Sequence, residues 1–266
     1  MGYNAIISIM PKGAAYDADA QAFITATGIS GTNANSINTL VIDLKAANIW
    51  TKMKALYPIV GGTATAHKFN LKDPRDLDAA FRLVFFGGVS HSSNGIAGNA
   101  LNGYANTFLN PLLTFPSGFS SFGIYNKVEI TNPGGVYIGT SATSNIIRIS
   151  AVASSIRNSN RGGGGSSQTI QPIINELGFY ANSRTSNTLL TSIDNTGAFQ
   201  TAIGNITIAY TNFNIPLLAN NQNDTIAGYS NAQLAFAYIS DALSSGELTI
   251  LKAINETYQT TLNRNV

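Results

Sequence analysis

The chain has no cysteine, one tryptophan and two histidines in 266 residues, and only 11% of it is Asp, Glu, Lys or Arg. Without cysteine there is no disulfide, thiol nucleophile or Cys-ligated zinc or iron–sulfur centre, so the chain suits reducing and oxidising surroundings alike. Ordinary soluble proteins carry roughly 25% charged residues, so solubility here must come from neutral polar groups. A formal net charge of +2 with no basic cluster lacks the electrostatic footprint of a nucleic-acid binder, and no nucleic-acid partner is expected. Long apolar runs are also missing. Ala5 to Ile7 and Leu83 to Phe86 fall far short of the roughly 20 residues of a spanning helix, and no membrane insertion is expected. Lys12 follows the apolar patch Ala5 to Met10 rather than preceding it, and Ile6 stands where myristoylation needs Ser or Thr. The chain is therefore expected to be made and used without translocation.

What is abundant is small and polar: 30 Asn, 25 Thr, 24 Ser and 25 Gly, a β-rich and loop-rich signature. Residues 1–50 read as a helical segment. Asp17 can N-cap a short helix carrying Phe23 and Ile24 and ending at Gly28, and Ile37, Leu40, Val41 and Leu44 recur at spacings of three and four. From Trp50 onward, short runs of Val, Ile, Phe, Tyr and Thr alternate with Gly, Asn, Ser and Pro. Strands are predicted near 53–57, 66–71, 81–86, 123–130, 135–138, 146–151, 169–174, 177–181, 189–193, 206–213 and 233–240. So many strands without long intervening helices imply a mainly β sandwich or jelly roll, one domain over 1–266. Arg161 to Ser167 (RGGGGSS) reads as a hairpin tip or linker. Near the end, Ser244 and Glu247 fit a capping box, and Leu248, Leu251, Ile254, Tyr258 and Leu262 form an apolar face. A C-terminal capping helix over 244–263 should dock on the sheet.

Catalytic chemistry finds little support. Neither His67 nor His91 has metal spacing or a nucleophile-elbow partner; His67 reads as a hydrogen-bonded structural residue in a strand-like run, His91 as part of a polar loop. A glycosidase needs two facing carboxylates, yet Glu129, Glu176, Glu247 and Glu256 are the only glutamates, and Glu247 belongs to the cap. The dense acidic stretch Asp73 to Asp78 could ligate calcium, but it lacks the Gly and terminal Glu of an EF-hand. A turn fixed by Pro74, with Arg75 paired to a carboxylate, accounts for it as well. No cofactor and no catalytic residue is expected. Phe86 to Asn126 and Thr196 to Asn223 contain no charged residue at all. Within the first, His91, Asn94 and Asn102 join uncharged hydrogen-bonding groups to the ring of Tyr104, the pairing that sugar recognition needs. These four are the candidate ligand-binding residues; the alternative is an ordinary loop with Tyr104 in the core.

Residues 37–110, especially IWTKMKALYP (49–58), KFNLKDPRDLDAAFR (68–82) and HSSNG (91–95), together with AFAYISDAL (235–243), Glu247 and LNRNV (262–266), resemble modules of virion and hypothetical proteins of tailed phages infecting Bacteroidetes. The closing strand, turn and helix also resemble those of laminin-G-like and concanavalin A-like jelly rolls. Residues 111–232 match in general texture alone. The resemblance implies a lectin-like, concanavalin A-like sandwich on the virion surface, made in the host cytoplasm. It would serve in a tail fibre, spike or head fibre, attaching weakly and multivalently to a host surface glycan. Partners would be other virion proteins and further copies of itself in a homo-oligomer such as a trimer. The alternative is a structural capsid decoration or fibre-assembly protein without a ligand. Where a tryptophan would follow the paired glycines Gly87 and Gly88, this chain has Val89.

Overall fold

The computed structural model describes residues 15–132, 134–142, 145–152, 155–161, 168–170, 176–203 and 210–266. The apolar patch at Ala5 to Met10 and the glycine run at 162–167 lie outside them, as do 171–175 and 204–209, parts of two predicted strands. The two N-terminal helices form where local signals place them. Helix α1 (Ala18–Thr27) starts at Asp17, whose side chain accepts from the Asp19 amide, and ends at Gly28 in the left-handed region. Helix α2 (Gly31–Ala46) buries Ile37, Leu40, Val41 and Leu44. Two one-turn helices follow, α3 (Ala64–His67) and α4 (Pro111–Thr114), and α5 (Ser245–Thr261) carries the complete Ser244–Glu247 capping box. No helix among the described residues is long and apolar enough to cross a membrane.

The strands in chain order are β1 (Met53–Tyr57), β2 (Val84–Phe86), β3 (Ser90–Ser92), β4 (Gly95–Ala97), β5 (Tyr104–Asn106), β6 (Ser120–Asn126), β7 (Val136–Ala142), β8 (Asn145–Val152) and β9 (Ser155–Arg161). They continue as β10 (Gln168–Ile170), β11 (Gly178–Arg184), β12 (Leu189–Ile193), β13 (Phe199–Ile203), β14 (Pro216–Leu217), β15 (Asn220–Gln222), β16 (Thr225–Ala227) and β17 (Gln233–Asp241). The first sheet runs β13-β12-β11-β6-β17-β4-β3, with β1 also paired to β17; the second runs β10-β9-β8-β7-β14-β5-β2, with β15 and β16 attached beside β7. The chain crosses repeatedly between the sheets, and among the described strands all pairings but β15 with β7 are antiparallel. The protein is a mainly β, jelly-roll sandwich with helices laid on one sheet.

Two cores result. Between the sheets lie Phe122, Ile124, Tyr137, Ile149, Tyr180 and Ile239, among others. On the opposite face of the first sheet, Phe179, Phe236 and Tyr238 meet Phe23, Leu40 and Leu251 from the helices. Strands β6 and β11 are buried at every position. Side chains of a strand alternate between faces, but a register shift between Leu234 and Phe236 puts Ala235 and Phe236 on the same helix-facing side. Gly123 is needed between its neighbouring strands: a Cβ there would lie 2.5 Å from Tyr238 Cε1 on β17 and 2.8 Å from the Tyr180 carbonyl on β11.

Several predicted elements differ from the observed ones. The predicted strand at 66–71 is instead α3 and a turn, because the Thr63 side chain accepts from the Ala66 amide and caps a helix. Asn70 then replaces a neighbouring strand for β1: its Oδ1 accepts from the Leu56 amide at 2.8 Å and its Nδ2 donates to the Lys54 and Ala80 carbonyls. Residues 210–213 form no strand; the Tyr210 hydroxyl donates to the Gly118 carbonyl at 2.6 Å between the sheets. In the acidic stretch, Arg75 holds Asp73, Lys68 and Arg82 hold Asp76, and Arg82 also holds Asp78. These cations keep the Asp73 and Asp76 carboxyls below their ordinary range, and the stretch is the ion-paired turn.

Sequence pattern alone missed Arg264. It is 2% exposed, and its guanidinium donates to four carbonyls, those of Ile59 (2.7 Å), Ser93 (3.3 Å), Pro58 (3.4 Å) and Ala235 (3.2 Å), while Nε donates to Gln259. One side chain thus ties β17, the β1–α3 loop and the β3–β4 hairpin to the end of the chain.

The docked helix makes a graded expectation. Leu251→Ala should lower unfolding stability by roughly 2–5 kcal/mol, and Ser244→Ala by about 1 kcal/mol; equal, negligible effects in chemical denaturation would mean α5 is not held by its apolar face. Arg264→Met, which keeps the bulk and removes the donors, should cost about 1–3 kcal/mol or more because four carbonyls lose a charged donor. Arg264→Lys should recover only a fraction of this loss in the same measurement, since a single ammonium cannot span the four acceptors.

Candidate functional site

The charge-free run begins at Phe86, the last residue of β2, and contains β5, its partner at the edge of the second sheet. β2 and β5 pair with Phe86 opposite Tyr104 and Phe85 opposite Ala105. Alternation sends Ala105 and Phe85 into the inter-sheet core and leaves Phe86 and Tyr104 on the other face. Their rings stack at 4.8 Å between centroids with planes 11° apart. Tyr229, from the β16–β17 connection, stands 6.2 Å from Tyr104 at 50°. Phe86 is 41% exposed, so a planar apolar surface faces outward. Partial burial and the neighbouring Tyr229 raise the Tyr104 hydroxyl above its ordinary pKa, keeping it a neutral donor and acceptor.

Beside the rings two loops interlock. Asn99 Oδ1 accepts from the amides of Leu101, Asn102 and Gly103 at 3.0, 3.0 and 2.9 Å. Asn102 Oδ1 accepts from the Gly88 amide at 3.0 Å and from Asn99 Nδ2 at 2.9 Å. The approach is so close that a Cβ on Gly88 would fall 2.0 Å from Asn99 Nδ2, and one on Gly87 2.2 Å from the Asn102 carbonyl oxygen. The paired glycines are therefore a packing requirement of the loop behind Phe86. Asn102 earns its place as the brace of this loop, and Leu101, 76% exposed, projects at its tip.

The four sequence-predicted residues divide. Asn102 and Tyr104 lie together at this face. Asn94 is exposed at the turn of the β3–β4 hairpin, in the first sheet, where its amide donates to Ser92 Oγ at 3.2 Å. His91, on β3, is occupied within the protein: its Nδ1 is 3.1 Å from Nδ1 of His67, and its ring meets Phe85 edge-on at 4.5 Å. His67 lies on α3 rather than on a strand and is a buried hydrogen-bonded residue. Sequence reading missed Phe86, Tyr229 and Asn99. Phe86 sat in an apolar run that reads as core, and only its register opposite Tyr104 turns it outward. Asn99 had a signal, since Asn99 to Gly103 (NALNG) has the Asn and Gly spacing of a tight turn.

The glutamates are engaged elsewhere. Glu176 is buried, accepting from the Tyr137 hydroxyl at 2.6 Å and the Ile130 amide at 3.1 Å. Burial raises the Glu247 carboxyl, but Lys52 and the Ser244 amide together outweigh it and leave its pKa lowered, and Glu256 pairs with Lys252 along α5. Glu129 is exposed. Among the described residues no group of three or more His, Asp or Glu side chains is arranged to hold a metal ion. An open cleft of about 300 Å³ lies between α5 and β11, lined by Tyr125, Gly178, Asn195, Glu256, Thr260 and Asn265.

No protein-family model and no curated protein matches the chain. Solved structures overlap part of it. The CBM40 module of the Ruminococcus gnavus IT-sialidase, bound to α2,3-sialyllactose, is 14% identical, with 50% of this chain covering 82% of that one at a TM-score of 0.41. A structure described as a receptor-binding domain is 12% identical, 66% against 47%, at 0.46. The leech intramolecular trans-sialidase is 18% identical, 50% against 23%, at 0.39. Apart from the first, the chain spans less than half the length of these structures.

Proposed function

We propose that this chain is a non-catalytic binding module displayed on a phage particle, in a fibre or spike, that attaches to a host surface glycan through the Phe86–Tyr104–Tyr229 face. The observation that carries the reading is the outward stack of Phe86 on Tyr104 within a stretch free of charge. A pyranose ring offers an apolar C–H side to such a surface, while its hydroxyls suit the amides and hydroxyls of an Asn-rich rim. The placement on a virion rests on the resemblance of the first third and last tenth of the sequence to virion proteins. The absence of an opposed acid pair in the described site argues against glycoside cleavage there.

A single shallow sugar site binds near millimolar, about 4 kcal/mol. Attachment through it needs several copies acting together, which a homo-oligomer or a many-copy fibre supplies. The alternative, a decoration or assembly protein, draws on Leu101 and Leu113, each 76% exposed in the same charge-free stretch, which suit burial against a neighbouring subunit.

Phe86→Ala should weaken binding to immobilised host polysaccharide by about tenfold or more, equivalent to about 1.4 kcal/mol, while the melting temperature moves little because that ring lies outside the core. Tyr104→Ala should do the same with a somewhat larger thermal effect. Unchanged binding by both folded variants would remove this face from recognition, and particle images with Phe86 and Leu101 covered by a neighbouring copy would favour assembly.

A further inference from the structure

His67 and His91 are the two histidines of the chain, and their Nδ1 atoms lie 3.1 Å apart. His67 is 1% exposed, and the Gly62 amide donates to its Nε2 at 3.1 Å. A backbone N–H can only donate, so Nε2 of His67 is the acceptor and the proton of the neutral ring sits on Nδ1. That N–H points at Nδ1 of His91, which accepts, and neutral His91 carries its own proton on Nε2. The pair therefore links the loop before α3 to β3 through a defined set of tautomers. His91 in turn packs edge-on against Phe85, the residue before Phe86 in β2.

We propose that the His67–His91 pair is an acid-sensitive latch: proton uptake breaks the bond between the rings, frees the β3–β4 hairpin and loosens the Phe86–Tyr104 face, so that ligand is released on acidification. The release of ligand rests on the binding reading above; the latch itself does not.

The geometry leaves a second proton nowhere to go. On His91 it would occupy Nδ1 and set two N–H groups against each other across 3.1 Å. His67 cannot turn its donor away, because its Nε2 already faces the Gly62 amide. The charged groups that bear on His67 are His91 from β3 and Arg264 from the C-terminal segment, both cationic when protonated. Arg264 also holds the Ser93 carbonyl at the turn of the same hairpin. Protonating the pair would gather like charges in a buried space, which is strongly unfavourable. Burial, His91 and Arg264 together push His67 down from 6.5 to about 3, and burial lowers His91 as well. Because the folded values are lowered, the unfolded chain takes up protons first. The stabilisation is complete above an ordinary histidine pKa of 6.5 and is lost progressively as the pH falls from there toward the folded values. Half-buried His91 is the first to charge. The same tautomer turns an N–H, not a lone pair, of His67 into the gap, so a divalent cation is not what the pair holds.

With two histidines, nitrogen-15 imidazole spectra of the full chain resolve each ring. At about pH 7.5, where neutral imidazole dominates, His67 should show the Nδ1–H tautomer and His91 the Nε2–H tautomer. On acidification to about pH 4, exchange protection of the Gly62 and β3–β4 amides should fall together with His91 protonation. In His91→Gln the side-chain oxygen still accepts from His67 Nδ1 but does not titrate, so protection should persist to lower pH and the acid loss of thermal stability should shrink. Two Nε2–H rings, saturable zinc binding to the pair, or His91 titrating near 6.5 with the hairpin amides unchanged would overturn the latch. Polysaccharide binding measured in parallel should weaken about tenfold at acid pH in the wild type and less in His91→Gln. Equal acid loss of binding in both proteins overturns the regulation, and absence of binding at every pH counts against the binding face while the spectra still decide the latch.

Discussion

The central strands of the first sheet, β6, β11 and β17, are buried on both faces, and the rest of the architecture follows from that constraint. One face meets the second sheet and the other meets α1, α2 and α5. A strand in that position cannot alternate apolar with charged residues as a half-solvated strand does. Strands β6, β11 and β17 accordingly carry aromatic, aliphatic and small neutral side chains, with charge confined to the ends at Arg184 and Asp241. The low charge content of the chain is thus in part a consequence of layer count. Crowding between neighbouring strands also limits size, which is why Gly123 sits between its cross-strand partners Tyr238 and Ala181. Buried tyrosines find acceptors or hydroxyl partners, as Tyr238 does with Ser121 and Tyr258 with the Pro58 carbonyl.

Ion pairs tie the helical layer together and to the sheet. Lys45 of α2 bridges Asp17 and Asp19 at the start of α1, and Lys52, just before β1, reaches Glu247 at the start of α5. These pairs are partly exposed, so their contribution is modest. Arg264 is different in kind, because its guanidinium is enclosed and satisfied by neutral carbonyls. Burial lowers its pKa, with the Tyr258 ring and hydroxyl opposing that shift. Removing it would expose unsatisfied acceptors at several elements at once. The same side chain places a fixed positive charge near His67, so the clasp that closes the fold also sets the electrostatics of the histidine pair.

The aromatic face lies at the periphery of this scaffold, on strands three residues long. Such strands have little stability of their own and depend on their neighbours: the Asn99–Asn102 knot on one side, and Phe85 with His91 on the other.

Much of the regular structure was legible in the sequence because its causes are local. Asp17, Gly28, Ser244 and Glu247 announce helix ends through hydrogen bonds made within a few residues, and the spacing of Leu248, Leu251 and Tyr258 states which side of α5 is buried. Strands β1, β12 and β17 were legible for the same reason, as short runs rich in aliphatic, aromatic and β-compatible residues bounded by breakers. The predicted strand at 66–71 failed because a single capping residue, Thr63, outweighed β-compatible composition. Strands β3, β4 and β5 could not be read because a three-residue strand is defined by its partner across the sheet rather than by its own pattern. The sequence by itself determined the sandwich class, the helix termini and the neutral character of the stretch after Phe86. Only tertiary structure decided that Phe86 stacks on Tyr104, that His91 pairs with His67 and that Arg264 lies inside, since each depends on groups far apart in the chain meeting at a register and depth that no local pattern encodes.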